Sequence, residues 1–310
     1  MDPMKVVITG AAGELGSVVA ERLAAEGMDI APTDLLGGVA GNEEIRVHDL
    51  RDPKPWPALL EDADAVVHCA AEPDDREPQS ARHFTTNVEG TANLCRAAVG
   101  TTIRKFVYAS TIQVISSEGM PEEGPWEVPY LPLDGSCPPN PRNLYALSKA
   151  TGEVLVREIL APEGVECQSL RFPWLVKVKE GAVWGRNLKP FAEHERRAVV
   201  EQGFACLSFQ DAARLISSCL KASLPGYRVY YPAVSAVPPE SMELYLGRYY
   251  QGVDLRRPMD EIQSLVDIST IEAETGWRPR DRPPPRPVEP KKSLPRRALG
   301  RFRRALGRFR

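Results

Sequence analysis

The chain has 310 residues, 43% of them hydrophobic and 26% charged, the composition of a globular protein with room for a substantial core. Its net charge of -3 conceals a division: Pro279 to Arg310 hold 12 basic and 2 acidic residues, the other 278 residues 27 basic and 40 acidic. So acidic a body repels phosphate backbones, which argues against nucleic acid as a partner and leaves polyanion binding to the C-terminal segment alone.

In chain order, "MKVVITG" is a β-branched strand ending in glycine, and "LGSVVAERLAAEG" follows as a helix with Leu15, Val18, Val19 and Leu23 at helical spacing, stopping at Gly27. "DIAPTDL" is a weaker second strand, because Pro32 must sit where no ladder hydrogen bond is needed. "EEIRVHDL" reads as a third strand and "ADAVVHCAA" as a fourth. A helix from about Gln79 to Ala98 leads to "RKFVYAST", the fifth strand. Residues 112 to 142 read as loop, Asn143 to Leu160 as a helix, and "VECQSLRF" as the sixth strand. Weaker signals follow: an amphipathic helix in "FQDAARLISSCLKA", a short strand in "YRVYYPA", and a small helix in "STIEAETGW" that Gly276 ends. Strand–helix alternation with apolar, non-alternating strands predicts an α/β fold, a doubly wound parallel sheet covered on both faces.

Three domains are expected: a core at 1–170, a smaller lobe at 171–278 interleaved with it, and a Pro/Arg-rich tail at 279–310. The tail contains RRALGRF twice in succession, with Leu299, Phe302, Leu306 and Phe309 at 3-4-3 spacing. Gly300 and Gly307 weaken it as a helix, so it reads as a disordered segment or an amphipathic helix induced on an anionic surface. There is no apolar run of membrane-spanning length, and the six cysteines form no CxxC pair and share no ligand spacing with the four histidines. A cytoplasmic protein without a metal site is expected, held peripherally at a membrane if the tail binds one.

Chemistry concentrates in three stretches. "TGAAGELG" places Gly10, Gly13 and Gly16 between strand and helix. Glycine permits the tight turn, the approach of backbone to pyrophosphate and close helix–strand contact, and the helix N-terminus adds amide donors. Asp34 ends the second strand, where a ribose-binding carboxylate belongs, and no lysine or arginine follows within ten residues to favour a 2′-phosphate. NAD is therefore expected over NADP. Asp49 is placed either to meet the adenine edge or to cap the next segment. In "YALSK", Tyr145 and Lys149 share a helix face, and an ammonium beside a phenol favours the phenolate needed for proton transfer. Thr111, with Ser110 as competitor, ends the fifth strand at the carboxyl edge, where its hydroxyl can hold a substrate oxygen.

Together these pieces resemble the extended short-chain dehydrogenase/reductases, the NAD-dependent epimerase/dehydratase family, as do "HDL" at 48–50, "HCAA" at 68–71, "NVEGTANLCRAA" at 87–98, "LRF" at 170–172, "FQDAA" and "TGWRP". The resemblance implies a Rossmann core, Tyr145 as acid/base, Lys149 as its electrostatic partner, Thr111 as the hydroxyl, and hydride transfer between a carbinol carbon and the nicotinamide. It also implies cofactor contacts from Glu14 and Leu15 in the glycine loop, Leu50 beside Asp49, Ala70 and Ala71, Asn87, and Ser110. Nucleotide-sugar epimerases of the family carry an arginine where this chain has Phe204, and their "NVYG" element is replaced by "WLVK", so the pattern is more similar to the uronate dehydrogenases. Arg171 is then either the partner of a substrate carboxylate or a structural arginine at a strand end. Glu72, Gln113 and Trp174 are further substrate-side candidates. The function expected is an NAD-dependent oxidoreductase of a sugar, sugar acid or small polyol, a homodimer by analogy. Alternatives are a nucleotide-sugar epimerase or dehydratase with recycled NAD, and a non-catalytic NAD-binding sensor or scaffold.

Overall fold

The computed structural model describes residues 2–72, 81–115, 128–178, 200–237 and 239–281. Its first half repeats strand, turn and helix. β1 (Lys5–Thr9) feeds α1 (Glu14–Ala25), which returns to β2 (Asp29–Asp34). β3 (Val39–Ala40) and β4 (Glu43–Glu44) form a small antiparallel hairpin, after which β5 (Arg46–Val47) joins β2. This corrects the single strand expected from "EEIRVHDL". Gly41 and Asn42 both have positive φ, the pairing a two-residue hairpin turn requires, so the stretch breaks between two sheets. β5 reaches only Thr33 and Asp34, so Pro32 has no ladder partner on its outer side.

α2 (Trp56–Leu60), β6 (Ala65–His68), α3 (Ala81–His83), α4 (Gly90–Ala98) and β7 (Lys105–Thr111) follow. Between α3 and α4 the helix does not run on as plain α: Phe84–Glu89 is a π-helical stretch. The start expected near Gln79 lies outside the described residues. α5 (Leu144–Leu155) begins at Asn143, whose side chain accepts from the Ala146 N–H as an N-cap, and ends in a second π stretch, Val156–Leu160. β8 (Glu166–Phe172) then pairs with β7 over seven residues.

β9 (Trp174–Val176), β10 (Ala205–Ser208), α6 (Phe209–Lys221), β11 (Tyr227–Tyr230), β12 (Val234–Ser235), α7 (Met242–Tyr249) and α8 (Ser269–Thr275) complete the described chain. β9, β10, β12 and α7 had no clear signal, since two- to four-residue strands carry no periodicity.

The main sheet is parallel, in the order β11-β8-β7-β6-β1-β2-β5. Strand order reverses between β1 and β6, which opens a crevice at their carboxyl ends. On one face α1 and α6 bury Val19, Leu23, Leu215 and Ile216 against the sheet. On the other, Trp56, Leu94, Phe106 and Val156 form a second layer. A third cluster, with Leu131, Leu133, Tyr231, Tyr245 and Leu265, gathers the 112–142 loop, α7 and the segment before α8, while β12, β10 and β9 form a small sheet of their own. β11 and α6 return to the main sheet, while Leu131 and Leu133 leave the 112–142 loop to bridge Leu255 and Val266.

The motifs "FQDAA" and "TGWRP" meet. The buried Asp211 carboxylate accepts the backbone N–H groups of Arg280 and Asp281, and the Trp277 indole donates to the Asp211 carbonyl. The Ser208 hydroxyl donates to Asp281 at 2.5 Å. Beyond Asp281 the tail, with its repeat, lies outside the described residues. Among the described residues no helix is long and apolar enough to cross a membrane, and no group of three His, Cys, Asp or Glu side chains is placed to hold a metal ion.

Candidate functional site

The crevice at the strand switch point is walled by glycine on one side and β6 on the other. Gly10 has φ +71°, and a methyl group there would come 2.6 Å from the Ala70 nitrogen. At Gly16 it would overlap the Gly10 carbonyl, so α1 can lie close against the loop only as glycine. Gly13 is the N-cap of α1, and no side chain caps it, which leaves the first amides of α1 directed at the crevice. Asp34 lies beside the loop. One of its oxygens accepts from the Ala12 N–H at 3.0 Å and the other from the Leu36 N–H at 3.1 Å. Glu14 pairs with Lys177 at 2.5 Å, and Leu15 packs on the core beneath. Asp49 is held by Arg51 through both carboxylate oxygens, and this guanidinium draws its carboxyl down to about 2. Leu50 packs against the α2–α4 layer.

A buried polar chain runs from β1 to the helix of Tyr145. The Ala70 N–H donates to the Thr9 hydroxyl at 3.2 Å, and Thr9 donates to His68 Nδ1 at 2.6 Å. His68 Nε2 donates to Thr91 at 3.0 Å, and Thr91 to the Asn87 carbonyl at 2.6 Å. Each hydroxyl has one proton to give, so the chain closes only with neutral His68 protonated on Nε2. Burial agrees, pushing its pKa down to about 3. Asn87 then accepts from the Glu72 N–H at 2.7 Å and donates to the Glu72 carbonyl and to Ser148 Oγ, whose hydroxyl donates to the Tyr145 carbonyl. In Asn87, expected on the cofactor, both amide protons go to protein, so the side chain ties Glu72 to Ser148 of α5. Its π-helical position allows that reach. Glu72 also lies 3.5 Å from Arg82.

Tyr145 is half-buried, with the His83 ring edge-on at 5.6 Å. One turn on, Lys149 is only 2% exposed, and its Nζ sits 4.3 Å from the centre of the Tyr108 ring. Among the described residues no hydrogen bond reaches the ammonium. Burial draws Lys149 down to about 8, opposed by Cys69 and Glu153. The Cys69 thiol, pushed up to about 12 by burial, stays protonated and offers no counter-charge.

Thr111 and Ser110 divide cleanly. Ser110 donates to Glu153 at 2.6 Å, so its hydroxyl can meet a cofactor only as an acceptor. Thr111 is half-buried, and its hydroxyl accepts from the Gln113 N–H at 3.3 Å, which leaves its proton to give. Gln113 in turn accepts from Asn143, the cap of α5, at 3.1 Å. Trp174 is 44% exposed on β9 and belongs to the small sheet.

Arg171 does not face the crevice. It is 3% exposed, paired to both oxygens of Glu153 at 2.9 and 2.8 Å, and donates to the Cys137 carbonyl at 2.6 Å. Of its two readings the geometry supports the structural arginine, and the substrate role is withdrawn. Sequence reasoning missed Glu153, His68, His83 and Ser148. Glu153 alone left a signal, four residues beyond Lys149 on the same helix.

The cradle suits a dinucleotide by the space that only glycine leaves, the uncapped helix start, and a buried ammonium still seeking acceptors. Comparison with known proteins agrees. Residues 6–176 match the model of the NAD dependent epimerase/dehydratase family. L-arabinose 1-dehydrogenase (NAD(P)(+)) of Haloferax volcanii is 31% identical over 183 residues, 57% of this chain and 69% of that protein. Uronate dehydrogenase of Pseudomonas syringae pv. tomato is 26% identical over 230 residues, 73% of each chain. Among solved structures, uronate dehydrogenase from Agrobacterium tumefaciens superposes with a TM-score of 0.62 at 21% identity, covering 100% of this chain and 91% of that one, a likeness of fold.

Proposed function

Because the chain belongs to the NAD-dependent epimerase/dehydratase family, we propose that it oxidises a small free sugar or sugar acid, with Tyr145 as acid/base, Lys149 as its electrostatic partner and Thr111 as the hydroxyl that holds the substrate oxygen. It is an enzyme of that family, and NAD is its cofactor. When bound, NAD supplies the acceptor for the hydrogen that leaves the carbinol carbon with its electron pair. Gly10, Gly13, Gly16 and the start of α1 would hold the pyrophosphate, and Asp34 a ribose.

The observation that carries the proposal is the Lys149 ammonium. A buried cation with no hydrogen bond among the described residues costs stability, and its position one turn from Tyr145 gives it two uses. It favours the phenolate that takes the substrate proton, and its N–H groups remain to hold ribose hydroxyls. Thr111, with a proton to give, steadies the oxygen as that proton leaves.

A free sugar rather than a nucleotide-linked one is supported by the names of the two relatives and by Phe204. At the place of the diphosphate-binding arginine, Phe204 lies edge-on to Tyr245 at 5.0 Å and tilted on Tyr249 at 5.4 Å. Glu72, Gln113, Trp174 and the 171–278 lobe would complete the substrate side. A second copy of the chain would fit against Leu147 and Val154 of α5 and Phe84, apolar side chains left exposed on neighbouring helices.

A panel of free aldoses, hexuronates and UDP-sugars, followed at the NADH absorbance, tests this. NADH should accumulate with a free sugar or hexuronate, and Tyr145→Phe should lower that rate roughly a thousandfold. Turnover of a UDP-sugar without NADH accumulation would replace the dehydrogenase with an epimerase.

A further inference from the structure

We propose that Glu153 is the positioning residue of the Tyr145–Lys149 pair: its carboxylate clamps α5 to the ends of β7 and β8 and supplies the counter-charge that Lys149 otherwise lacks among the described residues. The proposal rests on the acid/base role of Tyr145 given above.

The clamp is visible in the hydrogen bonds. Ser110 and Arg171 stand opposite each other on β7 and β8, and both donate to Glu153, Ser110 at 2.6 Å and Arg171 at 2.9 and 2.8 Å. Arg171 also reaches the Cys137 carbonyl, so one carboxylate gathers α5, two strands and a loop. Glu153 is 5% exposed. Residues 145, 149 and 153 follow at intervals of four and share one helix face, about 6 Å apart along the axis. Between them Gly152 lies so close to β7 that a methyl group would overlap the Tyr108 hydroxyl. A displacement of α5 at Glu153 therefore reaches Lys149 and Tyr145.

The charge is equally placed. β6 and the residue that follows it face Lys149 with neutral His68 and the protonated Cys69, and β7 faces it with the Tyr108 ring. On its own helix stand Tyr145 and Glu153, and Glu153 is the carboxylate whose charge acts on Lys149. Around Glu153 itself lie Arg171 from β8, Ser110 and Tyr108 from β7 and Tyr227 from β11, with Cys137 of the loop beside Arg171. A buried ion pair adds little net stability over an apolar pair, so fold stability alone gives little reason for an acid at this position.

Removing the charge acts on both groups in one direction. With Glu153→Gln the phenolate of Tyr145 becomes easier to form and the ammonium of Lys149 easier to discharge. Both limbs of the pH–rate profile should move to lower pH by about one unit. In full-length protein carrying 13Cε-lysine, without NAD, the Lys149 resonance, identified by its loss in Lys149→Met, should titrate lower by a similar step. Unmoved limbs and an unmoved resonance in folded Glu153→Gln would overturn the proposal. If the unpaired Arg171 prevents that variant from folding, Glu153→Asp decides. It keeps the charge and shortens the reach, so kcat should fall about tenfold with the limbs in place; unchanged kcat would overturn the clamp. D-glucuronate and L-arabinose with NAD serve as rate probes. If Tyr145→Phe still turns over, the acid/base reading fails first, and the lysine titration still judges Glu153 by itself.

Discussion

Lys149 shows what one residue can carry against the interest of the fold. Its ordinary value is 10.5, and burial brings it to about 8. Below pH 8 folded and unfolded chains both hold the proton, and the folded state bears the whole penalty, roughly 3 kcal/mol at about 1.4 kcal/mol per unit. Between about pH 8 and 10.5 the folded state loses its proton first, and the penalty fades. Lys149→Met should therefore raise the melting temperature at pH 7 by several degrees without NAD while abolishing turnover. The gain should vanish near pH 10.5 in thermal denaturation across that range. As candidates, Tyr145, Lys149, Gly10 and Asp34 stand out in the sequence because each belongs to a short motif whose spacing states its geometry. Arg171's role does not: whether an arginine at a strand end faces a crevice or a carboxylate depends on Glu153, which arrives from another element.

At the scale of elements, the pattern of hydrophobic residues located β1, α1, β6, β7, α5 and β8, since each buries a long apolar face. It did not reveal where β3, β4 and β5 separate, because that break is made by two positive-φ residues, Gly41 and Asn42. The contact of α5 with β7 is equally invisible in one stretch of sequence. Gly152 meets Tyr108 only when helix and strand come together, and Gly152→Ala must displace the helix or the buried Tyr108 ring on which Lys149 rests. The expected outcome is folded protein with kcat down about tenfold or more and little change in NAD affinity, read from steady-state kinetics and NADH fluorescence titration.

At the scale of the whole molecule, the described chain closes on itself at Asp211, which takes two backbone N–H groups from residues 280 and 281. A chain truncated after Asp281 keeps those bonds and should match the full chain in melting temperature and turnover. One truncated after Gly276 leaves a buried carboxylate short of partners and loses Trp277, and should melt several degrees lower. Anionic-vesicle sedimentation of the full chain against the first truncation tests the tail separately; equal partitioning would end the membrane proposal. Motifs distant in sequence announced this closure, "FQDAA" and "TGWRP", but not that one would hold the other.

The π-helical stretch Phe84–Glu89 sets a rotational phase between the two ends of its helix. An α-helix advances about 100° per residue, so one residue beyond the α count turns everything after it by that angle. Deleting the exposed Glu89 should let the segment relax into uniform α-helix, yet it would swing Thr91 away from His68 or His83 away from Tyr145. The extra residue is thus a timing element in space. It lets one rod present His83 to Tyr145 and, two turns later, Thr91 to His68.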